Sequence, residues 1–204
     1  MITIVDYGVG NISAFKNVFK RLNVASNIAK SSFDLENVSK LILPGVGSFD
    51  YAMNQLNLSG MREKLDELVT EKKIPVLGVC VGMQMMGKGS EEGKTKGLNW
   101  IDAEVLKFDE SLINSRVKLP HMGWNEVKPL KENILYKDLD DEALFYFLHS
   151  YFFKCNNSND ILAVSEYGTP FASCVNFENI YGVQFHPEKS HNNGETLLHN
   201  FALI

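Results

Sequence analysis

The chain has 204 residues, 45% of them hydrophobic and 22% charged, and a formal net charge of -5. That is enough material for one substantial core, so a single domain over residues 1–204 is expected; the acidic balance argues against a general nucleic-acid or membrane-surface role, because phosphate binding wants a basic face. Three cysteines at unrelated spacings (Cys80, Cys155, Cys174) form neither a disulfide framework nor a zinc ribbon, and neither a secretory leader nor an apolar run of membrane length is visible, so a cytoplasmic chain with free thiols is expected.

Ile2 to Val5 reads as a short strand ending at Asp6, and Tyr7-Gly8-Val9-Gly10-Asn11 turns it into a helix carrying Ile12, Phe15, Val18, Phe19 and Leu22 on one face. The Gly-x-Gly pair invites a dinucleotide reading, which fails because the third glycine of that fingerprint would fall at Ser13. Residues 24–29 and 40–43 predict two more strands, the latter ending in Pro44-Gly45-Val46-Gly47-Ser48-Phe49. Proline and two glycines after a buried strand let backbone N–H groups turn toward a ligand, although a plain connection would use the same residues. Helical spacing returns through residues 51–56 and through Met61, Leu65, Leu68 and Val69.

Pro75 then opens Val76-Leu77-Gly78-Val79-Cys80-Val81-Gly82-Met83-Gln84, an apolar run of strand length that meets a cysteine between two glycines and passes into helix-compatible sequence. Gly-x-Cys-x-Gly is the pattern of a nucleophile elbow, a strand-to-helix turn too tight for a Cβ at either flank. Cysteine there sits at the helix entrance, where unpaired N–H groups and the positive end of the helix favour an anion, and the N–H of Val81 can face an oxyanion. A buried structural cysteine is the competing reading. Alternation of strands and helices to this point predicts a parallel sheet whose carboxyl edge collects ligands, with Cys80 and the 44–49 loop both on that edge.

Residues 90–97 are polar and glycine-rich and read as a surface loop. Short strands follow at 100–108, 125–128, 145–148, 161–167, 172–177 and 181–185, some necessarily antiparallel, before a closing helix over 194–204. A cysteine nucleophile needs a base, and of the five histidines (His121, His149, His186, His191, His199) His186 fits best: in Gln184-Phe185-His186-Pro187-Glu188 a strand runs out at the histidine, proline stiffens the turn, and Glu188 can hold one ring nitrogen while the other faces Cys80. His149 has no adjacent carboxylate and reads as a packed, hydrogen-bonded residue, and no histidine pair has metal-ligand spacing, so no metal or cofactor is expected.

The elbow together with His186-Pro187-Glu188 resembles the class I (triad) glutamine amidotransferases. More closely, Asp6-Tyr7-Gly8-Val9-Gly10-Asn11, the 44–49 loop, Pro120-His121-Met122-Gly123-Trp124-Asn125, His149-Ser150-Tyr151 and Gln184-Phe185-His186-Pro187-Glu188-Lys189-Ser190 are similar, over essentially the whole chain, to the glutaminase subunits of imidazole glycerol phosphate synthase. Val81 and Met85-Met86 stand where leucines are more usual in those subunits, apolar exchanges that leave the chemistry intact. The resemblance implies an α/β, flavodoxin-like fold, a mostly parallel central sheet flanked by helices with extra antiparallel strands in the C-terminal half. It implies hydrolysis of glutamine through a thioester on Cys80, with His186 and Glu188 completing the triad. It places oxyanion donors at Val81 and at Gly45, Val46 and Gly47, glutamine contacts at Gln84, His149, Ser150 and Tyr151, and a partner surface at Asn11, Trp124 and Lys189.

The implied partner is a cyclase of (β/α)8-barrel type in a heterodimer, which uses the ammonia to make imidazole glycerol phosphate and an aminoimidazole carboxamide ribotide in histidine biosynthesis. Two alternatives stand beside it: a similar glutaminase serving amidino-sugar synthesis for surface polysaccharides, and a non-catalytic binding protein on the same scaffold.

Overall fold

A computed structural model describes residues 1–109, 111, 118–140 and 142–204. The N-terminal half alternates as expected: β1 (Ile2–Val5), α1 (Ile12–Arg21), β2 (Ser26–Ala29), β3 (Lys40–Gly45), α2 (Phe49–Leu58), α3 (Arg62–Asp66) with a π-helical turn Glu67–Glu71, β4 (Val76–Cys80) and α4 (Val81–Met85). The strand-rich half adds β5 (Ala103–Lys107), β6 (His121–Glu126), β7 (Lys128–Pro129), β8 (Leu144–His149), β9 (Tyr151–Cys155), β10 (Ile161–Tyr167), β11 (Thr169–Phe177), β12 (Ile180–Val183) and the closing α5 (His191–Leu203). Among the described residues the main sheet runs β2-β1-β3-β4-β12-β11-β10-β7, with β9 joined to β11 and β5 to β9. From β2 to β12 neighbours are parallel, and beyond β12 they are antiparallel. No helix is long and apolar enough to cross a membrane among the described residues.

The seam between β4 and β12 positions the chemistry. Gly78 pairs with Gly182 and Val79 with Val183, so the two strands run out side by side and deliver Cys80 and the segment after Val183 to one edge. On the other flank Gly45 pairs with Cys80, which brings the end of β3 to the same place. These strands are apolar on both faces because helices and the second strand layer cover them; all of Val76 to Cys80 and Ile180 to Val183 is buried.

Residues 121–126 pair with Leu144–His149 to form a separate ribbon, β6 with β8. Its inner face carries His121, Asn125, Phe145, Phe147 and His149, with Phe145 tilted against Phe185 and Phe147 edge-on to it at 4.2 and 5.6 Å between ring centroids. Its outer face carries the pairs Met122 with Leu148 and Trp124 with Tyr146, and Met122 is 65% and Trp124 46% exposed.

Several expected boundaries are corrected. The strand expected at 125–128 is two elements, β6 ending at Glu126 and β7 beginning at Lys128. His-Met-Gly-Trp has neither alternation nor β-branching, and its extended form comes from pairing with β8, a tertiary effect invisible to local pattern. The strand after Ser150, β9, was not expected, and β5 begins only at Ala103. The closing helix starts three residues early, at His191, and Pro44 and Gly45 belong to β3 instead of to a loop. The 90–97 segment is strapped to α2: the Asp50 carboxylate accepts the N–H groups of Lys94 and Thr95 at 3.0 and 2.9 Å.

Backbones approach closely around the elbow. A Cβ at Gly82 would fall on the carbonyl oxygen of Leu43, and one at Gly45 on the backbone nitrogen of Gly82. Gly82→Ala is therefore expected to cost about 3 kcal/mol or more, since backbone must move to admit the methyl. Gly60, at φ +69° with open space around its Cβ position, should cost only about 1 kcal/mol when changed to alanine. Urea unfolding of the two variants checks the difference, and equal losses would contradict it.

Candidate active site

Cys80 occupies φ 55° and ψ -114°, a conformation that L residues rarely adopt. It is held there by the Leu43–Gly82 approach ahead of it and by Gly78 behind it, where a Cβ would lie 2.6 Å from Met86 Cε and 2.8 Å from the Gly82 oxygen. The helix it enters is only five residues long, so the dipole support expected from sequence is small, and any anion must be held by specific donors.

His186 leaves β12 fixed at its backbone. Its N–H donates to the Tyr146 carbonyl at 2.8 Å, and its carbonyl accepts the Ser190 hydroxyl at 2.6 Å. Its Nδ1 meets Oε1 of Glu188 at 2.9 Å, with both side chains buried, and the ring shares the lining of one cavity with Cys80. Burial by itself lowers the imidazole pKa, but Cys80 and Glu188 outweigh it and raise the value to about 10. A base favoured in its protonated form, between a thiol and a carboxylate, suits a nucleophile that must give up its proton before attack.

A cavity of about 320 Å³ opens above Cys80, the size of a small-molecule site. Of the residues singled out from the sequence, Val46, Gly47, Val81, Gln84, His149, Ser150, Tyr151 and Lys189 line it with Cys80 and His186. Gly45 does not; it lies behind, paired with Cys80 and packed on Gly82, because it is a strand residue. Gly47 is at φ +81°, a position natural to glycine. Asn11 and Trp124 lie outside the cavity, Trp124 stacked on His191 at 5.1 Å. Lys189 reaches both places: it lines the cavity and its Nζ sits 5.9 Å over the Tyr146 ring on the outer face of the ribbon.

Four residues near the site escape the sequence reading. Glu92, Pro120 and Leu148 line the cavity, and Gln184, fully buried, places its amide nitrogen 3.8 Å from Cys80 Sγ. Glu92 also accepts the N–H of Phe49 at 2.7 Å, capping α2, so a residue of an apparently ordinary surface loop is drawn into the site. Its acidity is the only signal the sequence offers.

The second histidine, His149, has a different role. Its Nδ1 donates to the Tyr151 carbonyl at 2.8 Å, which leaves Nε2 to accept from Nδ1 of His121 at 2.9 Å. His121 Nε2 in turn accepts from Nδ2 of Asn125 at 3.2 Å. Burial, the His121 ring and the nearby His186 push His149 down to about 3, against a small opposing effect of the Tyr151 carbonyl, and burial pushes His121 down to about 4. Both are neutral structural rings, which leaves His186 as the candidate base.

Residues 3–204 match the family described as "Glutamine amidotransferase class-I". The chain is 52% identical over 204 residues to the imidazole glycerol phosphate synthase subunit HisH of Leptospira interrogans and, equally, to that of Bdellovibrio bacteriovorus, covering all of both chains in each case. Among solved structures it is similar in fold to a glutamine amidotransferase (TM-score 0.76, 18% identity, 99% of this chain and 96% of that one). It is also similar in fold to the glutaminase domain of Trypanosoma brucei CTPS (TM-score 0.66, 16% identity, 99% and 93%).

The neutral pair makes stability depend on pH. Both folded values lie below the ordinary 6.5, so in acid the unfolded chain binds more protons than the folded one. Their contribution is complete above about pH 6.5 and is lost as pH falls toward 4 and then 3. His186 is charged in both states at the acid end of this window and adds no slope there. Urea unfolding from about pH 6, below which His186 is charged in both states, down to about pH 4.5 should show falling stability, with a shallower fall in His121→Asn. Equal slopes for the two proteins would contradict the assignment.

Proposed function

We propose, from the premise that this chain belongs to the class-I glutamine amidotransferases, that it is the glutaminase subunit of an imidazole glycerol phosphate synthase and supplies ammonia to a cyclase partner. The observation that carries the reading is Cys80 and His186 on the wall of one cavity, with Glu188 bound to Nδ1 of His186 behind it. Full-length identity of 52% to chains named as that subunit supports the histidine pathway over amidino-sugar synthesis, and an intact triad weighs against a non-catalytic binding protein.

In this reading His186 takes the thiol proton and the Cys80 thiolate attacks the side-chain amide carbon of glutamine, forming the C–S bond. The oxyanion that develops is met by the backbone N–H of Val81, at the first position of α4 where no intrahelical acceptor exists, and by N–H groups of the Val46–Gly47 segment. His186 returns its proton to the departing nitrogen, ammonia leaves, and a glutamyl thioester remains on Cys80. The same imidazole then takes a proton from water, whose attack on the thioester releases glutamate and restores the thiol. Glu188 holds Nδ1 throughout and stabilises the imidazolium. Gln84 and the strand ends at His149, Ser150 and Tyr151 form the wall against which glutamine lies.

The partner seats on the outer face of the β6–β8 ribbon. Met122, Trp124 and Leu148 form an exposed apolar strip beside Lys189, a composition suited to an anchored interface with a charged edge. Asn11 is exposed near the oxyanion segment through the bracing of its loop, in which Tyr7 donates to the Pro44 carbonyl at 2.6 Å. We place the whole chain, as one amidotransferase domain in a heterodimer with a (β/α)8 cyclase, in the cytoplasm, where Cys80 stays reduced.

Reconstitution with an imidazole glycerol phosphate cyclase tests this. With the ribulosyl ribotide as acceptor, product should form from glutamine. With Cys80→Ala or His186→Ala in the complex, glutamine-dependent turnover should fall by about 10⁴ or more while turnover on added ammonium salts persists. A complex that uses ammonium but never accepts glutamine nitrogen through the wild-type chain would refute the assignment.

A further inference from the structure

The side chain of Gln184 ends against the nucleophile. It follows β12, its backbone N–H continues the ladder by donating to the Ser173 carbonyl at 2.9 Å, and its carboxamide is wholly buried, with Nε2 3.8 Å from Cys80 Sγ. Which end of the amide faces the sulfur is decided by neighbours that have only one possible polarity. Tyr151 offers a backbone carbonyl, which can only accept, so the atom of Gln84 lying 3.1 Å from it is the nitrogen. The second hydrogen of that nitrogen points to Gln184 at 3.1 Å, so Gln184 presents its oxygen there and its own nitrogen to the sulfur. The Tyr151 carbonyl is itself held by a second donor, Nδ1 of His149, whose tautomer is set through His121 and Asn125.

We propose that Gln184 is a catalytic hydrogen-bond donor to the Cys80 thiolate, with Gln84, His149 and His121 acting as positioning residues that fix the direction of its amide. The inference rests on Cys80 being the nucleophile. It supplies the specific donor that a five-residue helix cannot replace by its dipole. The Leu148 carbonyl faces the same sulfur at 3.9 Å and accepts the thiol proton whenever Cys80 carries one. When His186 removes the proton, that carbonyl opposes the charge and the Gln184 N–H favours it. Gln184 holds the anion at the elbow with a donor separate from the imidazole, whose proton is then free to move to the leaving nitrogen.

The titratable and charged groups around the thiol are His186 with Glu188 behind it, Tyr7 of the β1–α1 loop, and His149, Glu92 and Lys189 on the cavity wall. None of them hydrogen-bonds the Gln184 side chain, whose partners are Gln84 and Cys80.

The test is the rate at which iodoacetamide alkylates Cys80, read by peptide mapping, in wild type, Gln184→Met and Gln84→Met. This needs no glutamine and so is independent of the proposed reaction. Gln184→Met keeps the volume and removes the donor; its alkylation at about pH 7 should fall about tenfold, the low end for a hydrogen bond to a charged acceptor. The deficit should shrink at about pH 9, where thiols ionise without help. Gln84→Met releases the carboxamide to rotate and should show a smaller loss of about threefold, with the same dependence on pH. In glutamine turnover the Gln184→Met loss should appear in kcat with KM little changed. Wild-type alkylation rates at neutral pH in the folded variants, or in Gln84→Met alone should Gln184→Met not fold, would overturn the proposal. A loss of equal size at both pH values would overturn it as well, because that is the mark of a blocked or displaced thiol. If the alkylation pattern holds while the wild-type complex never uses glutamine, the proposed function fails and this inference stands.

Discussion

The site depends on how closely two backbones meet at the end of the parallel sheet, the Leu43 carbonyl of β3 and Gly82 in the first turn of α4. That approach fixes where the helix can begin, and the helix start fixes Cys80 in a backbone conformation it would otherwise avoid. Glycine at 45, 78 and 82 is the local condition for it. The strain is sustained because the elbow lies in a continuous apolar core, with β4 buried throughout and β3 buried from Leu41 to Gly45. The carboxyl ends of β3, β4 and β12 then bring the Val46–Gly47 segment, Cys80 and His186 to one cavity, as open α/β sheets do at their ligand edge.

Around this edge the same residue type is used in opposite charge regimes. His186 is buried but has a thiol and a carboxylate for company, and its affinity for a proton rises. His149 and His121 are buried with each other, a carbonyl and an amide, and theirs falls. Burial is common to all three, and the partners decide the sign. The neutral pair is an inward-facing part of the β6–β8 ribbon, whose other face is the exposed strip of Met122, Trp124 and Leu148. One short ribbon therefore contributes to the wall of the cavity beside Cys80 and to the exposed apolar surface proposed as the partner's seat.

The elbow, the base and its carboxylate are legible in the sequence because each is a local pattern: glycines around a cysteine, and proline and glutamate after a histidine at a strand end. The parallel half of the fold is legible for the same reason, as apolar runs alternating with helical spacing. The strand-rich half is less so, since β6 is extended only by its pairing with β8, and β9 follows β8 after a single residue. Gln184 lies inside a legible motif, yet its contact with Cys80 spans 104 positions and depends on a side-chain direction that sequence does not carry. Glu92 is hidden likewise, entering the cavity from a loop whose composition says only that it is exposed. Gly45 shows the converse error, a glycine assigned to a ligand loop that is in fact the last residue of a strand.

Glutaminase chemistry at this site requires that one thiol of the three be activated. Burial, with Asp160 and Asp102 nearby, pushes Cys155 up to about 12, and burial pushes Cys174 up to about 12 against weak opposing contacts. Cys80 alone stands beside His186 at the cavity. The most direct measurement is covalent labelling by an electrophilic glutamine analogue followed by peptide mapping of the intact chain. The account predicts a single adduct, on Cys80, whose formation free glutamine slows. Labelling of Cys155 or Cys174 instead, or labelling of Cys80 that glutamine does not slow, would contradict it.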